Sequence, residues 1–202
     1  MNCRVVKVGG SLLDLPDLAS RIDQWLESQP PLDNYFIVGG GEMVEAVRVL
    51  DRIHSLDEEF AHWFCVDLLN GSSKIMHQIC PKMDLIKSEE FLGSIFERRG
   101  TVPDAKGTKT FLVQPSAFYR NRNSQNCGLP SSWATTTDSI AALLCNRLNA
   151  QELVLLKSQK PPETQAELEN LAASGYVDAS FPLAAMDLNV RFVNLRSVDL
   201  DA

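Results

Sequence analysis

The chain opens with Met1-Asn2-Cys3-Arg4-Val5-Val6-Lys7-Val8-Gly9-Gly10-Ser11-Leu12, a short apolar segment that runs into two glycines. The apolar run Val5–Val8 is interrupted only by Lys7 and ends at two glycines, which predicts a buried strand followed by a glycine turn. Such a turn lets backbone N–H groups approach an anion closely, and a lysine beside it adds a compact positive charge. An ordinary strand-to-helix turn with a solvated lysine explains the same residues equally well. The choice between an anion site and an ordinary turn therefore depends on the rest of the chain.

Length and charge limit the class of protein. The chain has 202 residues, 45% hydrophobic content and a formal net charge of −7. This length fits one sizeable domain or two small ones. The negative charge argues against a nucleic-acid partner, so any anion site must be a local patch.

The five cysteines are scattered and contain no CxxC pair; they are Cys3, Cys65, Cys80, Cys127 and Cys145. This pattern predicts a reducing compartment, and neither a disulfide framework nor a zinc site. No leader-like segment and no apolar run of membrane-spanning length is present in the sequence. We therefore expect a cytoplasmic protein with no membrane partner.

A second junction between a strand and glycines follows the first helix. Apolar spacing predicts a helix over about residues 16–28, with Pro16 in its first turn, and then a strand at Tyr35–Val38 that runs into Gly39-Gly40-Gly41. Because successive parallel strands end at one edge of a sheet, we expect the two glycine turns to face each other there. Neither turn has the G-x-G-x-x-G or GxxxxGK[ST] spacing of the common nucleotide-binding motifs.

The middle of the chain supplies elements that face the core. Apolar residues over Leu56–Ile79 predict two helices with a break at Gly71, and strands are predicted at Met83–Ile86 and Phe111–Val113. Within this region His62 is either a buried, hydrogen-bonded histidine or a residue near an acceptor substrate.

One polar segment precedes the predicted strand Phe111–Val113, and another follows it. The first contains Arg98, Arg99, Lys106 and Lys109 and is either a solvated face or a patch that phosphate approaches. The second, Asn121–Trp133, is rich in Asn, Ser, Gly and Pro and predicts a long loop of the kind that borders sites.

A second buried strand ends in lysine at Leu153–Lys157. A phosphoryl group in transfer is stabilised mainly by position and by positive charge, which two lysines on neighbouring strand ends could supply. An acidic residue between them would relieve their repulsion, and Asp138 is the candidate. The alternative is that Thr137 or Asp138 only caps the helix that follows.

Four motifs follow one another along the chain; they are Val5-Val6-Lys7-Val8-Gly9-Gly10-Ser11, Ile37-Val38-Gly39-Gly40-Gly41, Thr136-Thr137-Asp138-Ser139-Ile140-Ala141-Ala142 and Leu155-Leu156-Lys157. In this order they resemble the amino acid kinase superfamily, which includes acetylglutamate, carbamate, uridylate and isopentenyl phosphate kinases. The resemblance implies an α/β fold, a three-layer α/β/α sandwich around a mainly parallel sheet. It also implies transfer of the γ-phosphoryl group of ATP, with Mg²⁺, to a phosphate, carboxylate or carbamate.

The resemblance also assigns roles to residues. The catalytic group is Lys7, Asp138 and Lys157, and the donor phosphates are bound by Gly9, Gly10 and Ser11. The acceptor is bordered by Gly39, Gly40, Gly41, His62 and Thr136, and the nucleotide by Ser158, Tyr176 and Asp178. A packed turn tyrosine and a solvated aspartate are the alternatives for the last two. No residue of the chain is predicted to ligate a metal.

Within this superfamily the chain most resembles the archaeal-type kinases of methanofuran biosynthesis, whose acceptor is an aminomethylfuran phosphate. The motifs behind this are Gly41-Glu42 with Arg48 and Asp51, Glu59-Phe60-Ala61-His62-Trp63, Pro130-Ser131-Ser132-Trp133, and Tyr176-Val177-Asp178 before Phe181-Pro182. A single domain over residues 1–202 is expected, with the acceptor and phosphate side at about 1–135 and a shortened nucleotide side at about 136–202.

One departure from the family concerns the turn after the second lysine. Many relatives continue with an Asp-x-Asp-Gly type turn, whereas this chain has Ser158-Gln159-Lys160-Pro161-Pro162. A nucleotide-binding, storage or regulatory module without turnover is therefore the alternative to a kinase. Because relatives are commonly oligomers, a homo-oligomer is expected as well.

Overall fold

Six parallel strands form the centre of the molecule. The computed structural model describes residues 2–99, 108–121, 128–160 and 167–197. The strands are β1 Cys3–Val8, β2 Asp33–Val38, β3 Asp84–Ile86, β4 Thr110–Val113, β5 Glu152–Lys157 and β6 Val190–Asn194, in the spatial order β3-β4-β2-β1-β5-β6. Each strand lies parallel to its neighbours, so their carboxyl ends share one edge of the sheet.

Strand β1 lies inside the sheet, between β2 and β5, and all six of its residues are buried. Lys7 stands opposite Ile37 of β2 on one side and opposite Leu155 of β5 on the other. Side chains alternate between the two faces of a strand, so Lys7 shares a face with Val5, and Lys157 shares that face with Leu155. The two lysines therefore project from neighbouring strands toward the same layer of helices.

Helices cover both faces of the sheet; they are α1 Leu18–Glu27, α2 Glu42–His54, α3 Glu58–Ile79, α4 Glu89–Arg99, α5 Thr137–Leu148, α6 Leu168–Ala173 and α7 Phe181–Ala184. On one face Val5 and Leu155 belong to a buried cluster with Leu69 of α3 and Ile140 of α5. On the other face α1 packs through Ile22 and other apolar residues against alternate strand residues. The predicted α/β/α sandwich is confirmed, with an all-parallel sheet among the described strands.

Two local predictions about helices were wrong. Helix α3 runs unbroken from Glu58 to Ile79, with Gly71 inside it. A glycine costs a helix only ~1 kcal/mol, and burial of Leu69 and Met76 on either side outweighs this cost. Helix α1 begins at Leu18, so Pro16 lies in the preceding turn and not in the first helical turn.

Some sequence features fall outside the described residues. The side chains of Arg98 and Arg99 and all of Lys106 belong there, so the choice between a solvated face and a phosphate patch stays open. Lys109 is exposed at the start of β4. Residues 122–127 of the predicted loop, including Cys127, lie outside as well. The four described cysteines are buried, and none of them forms a disulfide with another.

None of the described helices is both long enough and apolar enough to cross a bilayer.

Replacing Gly71 with alanine should stabilise the protein. A Cβ atom at this position would meet nothing within 4 Å, and alanine loses less backbone entropy than glycine in a helix. We expect Gly71→Ala to raise the free energy of unfolding by ~0.5–1 kcal/mol in urea denaturation.

Gly41→Ala is the matched control. Gly41 has φ +54°, and its Cβ would lie 2.7 Å from the Gly10 carbonyl oxygen, so this variant should be destabilised. Equal losses of stability in both variants would contradict the account of α3 given above.

Candidate active site

One carboxylate joins two lysines at the carboxyl edge of the sheet. Asp138 Oδ1 lies 2.8 Å from Lys7 Nζ, and Asp138 Oδ2 lies 2.8 Å from Lys157 Nζ. The three side chains are 6%, 9% and 12% exposed for Asp138, Lys7 and Lys157. The structure thus brings together the three residues that the sequence singled out, and two positive charges share one negative charge.

Burial and neighbouring charge act together on these groups. Burial alone would raise the pKa of Asp138, but the two ammonium groups hold it below its usual range. For Lys157, burial and then the charge of Lys7 lower the pKa to about 8, although Asp138 opposes this shift. Asp138 is therefore a carboxylate at neutral pH, and Lys157 keeps its proton there by a small margin.

Helix α5 delivers Asp138 to the lysines from its first turn. The predicted cap at Thr137 or Asp138 was wrong, because the N-cap residue is Thr136 and its side chain makes no capping bond to the helix. Asp178 supplies the cap from outside: its Oδ2 accepts from Thr136 N at 3.0 Å, Thr136 Oγ1 at 2.8 Å and Ser139 N at 3.0 Å. Its Oδ1 accepts from the Ser139 hydroxyl. Asp138 is thereby free to point at the sheet.

These bonds bear on two predicted ligand contacts. Asp178 was predicted beside the nucleotide, and the structure gives its carboxylate a helix-capping role. Thr136 was predicted beside the acceptor, and its hydroxyl donates to Asp178. No sequence signal links the two residues, because Asp178 follows Thr136 by 42 positions and a cap from so far away has no local pattern.

The two glycine turns face each other, as expected. A Cβ atom on Gly10 would lie 2.1 Å from Gly41 N, and one on Gly39 would lie 2.7 Å from Gly10 N. Any larger residue at Gly10 or Gly39 would push the turns apart. Gly40 is constrained from elsewhere, because its Cβ would lie 2.0 Å from a methyl group of Val44.

The N–H groups of the glycine turns differ in whether they take part in the sheet. Gly9 N donates to the Leu156 carbonyl at 2.8 Å and Gly39 N to the Val8 carbonyl at 2.9 Å, so these two groups continue the sheet. Four neighbouring backbone N–H groups have no acceptor within the described part of the chain; they belong to Gly10, Ser11, Gly40 and Gly41. Such groups can bind an anion.

A polar cavity of about 430 Å³ opens beside the lysines. It is lined by Lys7, Gly9, Gly10, Ser11, Lys157, Ser158, Gln159, Lys160, Ser174, Gly175 and Tyr176. Across it the Ser11 hydroxyl donates to Ser158 Oγ at 2.9 Å, and Lys157 Nζ donates to the Tyr176 carbonyl at 2.7 Å. The predicted residues Ser158 and Tyr176 therefore lie in one cavity with the two lysines.

Four lining residues were not predicted as site residues: Gln159, Lys160, Ser174 and Gly175. Lys160 stands three residues after Lys157 in the turn that departs from the family pattern, and its positive charge was the available signal.

A second, smaller cavity of about 50 Å³ lies on the other side of the glycine turns. Its lining includes the predicted residues Gly40, His62 and Thr136, and its walls are mostly apolar. His62 is buried, with Nδ1 3.1 Å from the Ser132 carbonyl and Nε2 3.0 Å from the Tyr119 hydroxyl. Nδ1 must donate to the carbonyl, which leaves Nε2 to accept from Tyr119.

His62 is therefore a neutral, hydrogen-bonded histidine that also borders a cavity. Burial lowers its pKa, against smaller opposing effects of Ser132 and Glu59. Of the two alternatives given for His62, the buried and hydrogen-bonded histidine is observed. Contact between His62 and an acceptor stays a prediction.

Trp133, which was not among the predicted site residues, forms part of the wall of the small cavity. Its Nε1 donates to Asp51 Oδ2 at 2.7 Å. The guanidinium of Arg48 lies 4.2 Å from the centre of the indole ring. Helix α2 therefore holds the tryptophan from two directions, and only the motif resemblance had drawn attention to these residues.

The carboxyl-terminal residues support the first glycine turn. Arg196 Nη2 donates to the Ser11 carbonyl at 3.0 Å and lies 2.6 Å from Asp14 Oδ1. This contact spans the length of the chain, so no sequence pattern could have indicated it.

The described residues contain no cluster of three or more His, Cys, Asp or Glu side chains suited to a metal ion. Both oxygens of Asp138 are directed at lysines.

No family model matches the sequence, and no curated protein matches it. Solved structures do match the fold. A uridylate kinase from Archaeoglobus fulgidus superposes with a TM-score of 0.59 at 13% identity, covering 95% of this chain and 90% of that one. A UMP kinase from Ureaplasma parvum gives 0.61 at 14% identity, covering 95% and 88%. A UMP kinase from Bacillus anthracis gives 0.62 at 11% identity, covering 98% and 89%. The chain therefore has the amino acid kinase fold.

Proposed function

We propose that the protein is an ATP-dependent kinase that transfers the γ-phosphoryl group to a small phosphate or carboxylate acceptor. The observation that carries this proposal is the pair of lysines held by Asp138 at 2.8 Å each, at the carboxyl edge of the sheet. The fold shared with uridylate kinases supports it. Ligands of open parallel sheets bind at this edge, so the position fits a substrate site as well.

The residues suit phosphoryl transfer because that reaction needs charge and position more than covalent help. Lys7 and Lys157 bring two positive charges against one negative charge from Asp138, which leaves a net positive site for the oxygens of the moving group. The free N–H groups of Gly10 and Ser11 would bind donor phosphates in the polar cavity. Asp138 fixes the direction of both lysines and is a positioning residue.

Mg²⁺ would enter this site together with the donor phosphates, and it would supply positive charge against the charge that develops on them. Lys7, Lys157 and the glycine turn would then hold the remaining phosphate oxygens.

We assign the acceptor to the turn Gly39-Gly40-Gly41, of which Gly40 lines the small cavity. An acceptor that is already a phosphate or carboxylate anion needs no general base, in keeping with a neutral His62 whose ring nitrogens are both hydrogen-bonded. We take an aminomethylfuran phosphate as the first candidate. The apolar walls of the small cavity, formed by Val44, Val66 and Leu69 among others, suit the apolar part of such an acceptor.

The assignment is tested by ADP release from Mg-ATP with a panel of acceptors. The panel contains the aminomethylfuran phosphate, uridylate, isopentenyl phosphate, carbamate, acetylglutamate and aspartate. We expect turnover with one acceptor and its loss in Asp138→Asn, because the variant leaves the two lysines without their shared carboxylate. ATP binding without turnover on any acceptor would favour the alternative, a nucleotide-binding module, which the unusual turn Ser158-Gln159-Lys160 also suggests.

Lys7→Ala should lower kcat at least ~100-fold, the scale for loss of one preorganised electrostatic donor. The fold should survive, because Asp138 and Lys157 remain as a neutral pair. Circular dichroism melting checks this point. Lys82→Ala, which removes an exposed lysine paired with Asp23, is the control and should keep full activity. Near-normal activity of Lys7→Ala would contradict the proposed mechanism.

Activity should fall in alkali because Lys157 loses its proton. The pKa of this lysine is lowered to about 8, so the charged form is lost as the pH rises through that value. We expect kcat/KM to fall about tenfold for each pH unit above it. Lys157→Arg keeps the charge at all these pH values and should lose the alkaline fall, whatever its absolute rate. A flat wild-type profile up to pH ~9.5 would contradict the assigned role of Lys157.

A further inference from the structure

A short segment between helices α6 and α7, residues 176–180, contacts both sides of the lysine–carboxylate group. This 176–180 segment binds Lys157 directly, because the Tyr176 carbonyl accepts from its Nζ at 2.7 Å. It also holds the helix that carries Asp138, because the Asp178 carboxylate accepts from two backbone N–H groups at the start of α5. One short stretch of chain therefore connects two members of the proposed catalytic group.

Packing and hydrogen bonds fix this segment against the start of α5. Val177 is buried and belongs to the same apolar cluster as Ile140 of α5. Ser180 N donates to the Ala134 carbonyl at 2.9 Å, and the Ser180 hydroxyl lies 3.0 Å from Thr135 Oγ1. These two partners lead directly into α5. The segment and the beginning of this helix are therefore joined at several points.

Within the segment, Asp178 leaves the carboxylate of Asp138 free for the lysines. Its oxygens accept from the N–H and hydroxyl groups of both Thr136 and Ser139, and Ser139 is fully buried. A carboxylate in the first turn of a helix can itself bind nearby N–H groups. Since Asp178 already accepts from them, both oxygens of Asp138 point at the two lysines.

The charge of Asp178 also acts on Lys157. Lys7 faces the ammonium group of Lys157 from β1, Asp138 faces it from α5, and the centre of the Tyr176 ring lies 5.2 Å from it. Burial and then Lys7 lower the pKa of Lys157 to about 8, whereas Asp138 and, after it, Asp178 oppose this shift. Loss of the negative charge at position 178 would therefore lower this pKa further.

We infer that Asp178 is a positioning residue for phosphoryl transfer, acting through Asp138 and Lys157 and not through contact with the nucleotide. Its cap on α5 keeps the carboxylate of Asp138 turned toward the lysines, and its charge helps Lys157 to keep a proton at neutral pH. This role rests on the proposed kinase function. It makes the rate depend on a fourth residue, outside the group of two lysines and Asp138.

Removal of the whole side chain tests the positioning role. Asp178→Ala loses both the cap and the charge, so we expect kcat with Mg-ATP and the acceptor to fall ~10–100-fold, the scale of a small misplacement of catalytic groups. The KM for ATP should change less than about twofold, because the side chain does not bind the nucleotide. A higher KM for ATP with unchanged kcat would overturn the inference and place Asp178 beside the nucleotide.

Asp57→Ala is the matched control. Asp57 caps α3 in a similar way, since its side chain accepts from Phe60 N at 2.8 Å. Loss of either cap should lower the melting temperature, because a helix cap contributes about 1 kcal/mol. Only Asp178→Ala should lower kcat. A similar fall of kcat in both variants would reveal a general effect of stability and overturn the positioning role.

Asp178→Asn separates the charge from the cap. The amide oxygen of asparagine can still accept from Thr136 N and Ser139 N, and its amide nitrogen can donate to the Ser139 hydroxyl. At about pH 6.5 we therefore expect kcat within about threefold of wild type. The alkaline fall of kcat/KM should begin at a lower pH than in wild type, because Lys157 loses its proton more easily. An unchanged midpoint would overturn the proposed action of Asp178 on Lys157.

The titration of Lys157 can also be followed without any acceptor. In protein labelled with ¹³C-lysine, the Cε chemical shift of Lys157 reports its protonation, and Lys157→Arg identifies the signal. We expect a lower midpoint in Asp178→Asn than in wild type and an unchanged one in Asp57→Ala. A lower midpoint without turnover on any acceptor of the panel would support the action of Asp178 on Lys157 and count against the kinase. Normal kcat and an unchanged midpoint in both Asp178 variants would overturn the inference and leave the kinase standing.

Discussion

The structure depends on one carboxylate shared by two buried ammonium groups. Two lysines this close would repel each other, and burial would strip their protons if no anion lay between them. Asp138 supplies that anion at 2.8 Å from each Nζ. The group as a whole keeps a positive charge, which gives it affinity for an anion. Burial and, after it, the charge of Lys7 lower the pKa of Lys157 to about 8 even with a carboxylate in contact.

The rest of the fold holds this group in place. Side-chain alternation along β1 and β5 sends Lys7 and Lys157 to the same face of the sheet, and α5 meets them there. Asp138 can turn toward the lysines because Asp178 caps α5 in its place. The glycine turns reach contact distance because Gly10 and Gly39 carry no Cβ. The strands, helix α5 and the glycine turns together place the two lysines, Asp138 and the backbone N–H groups at one edge of the sheet.

The two cavities beside this group differ in chemical character. The larger is polar and positive, whereas the smaller has mostly apolar walls and a buried, neutral His62. This contrast supports the proposed division between a side for the donor phosphates and a side for the acceptor. Trp133 lines the smaller cavity, and its bond to Asp51 and its contact with Arg48 connect helix α2 to that cavity. The turn after Lys157 lies at the larger cavity, which Lys160 helps to line.

The sequence indicated strands β1, β2 and β5, both glycine turns and, as one of two alternatives, Asp138 as the acidic residue between the lysines. The strands and turns are local features: short apolar runs that end at a glycine turn or a lysine mark these strands, and the positions of Lys7 and Lys157 on their strands fix the face from which each projects. Tertiary structure alone decided the continuity of α3 through Gly71, the cap by Asp178, and the bonds of His62 to Ser132 and Tyr119. Packing outweighs the helix propensity of one glycine, and hydrogen bonds between residues 42 to 70 positions apart follow from the path of the backbone and leave no periodic signal in the chain.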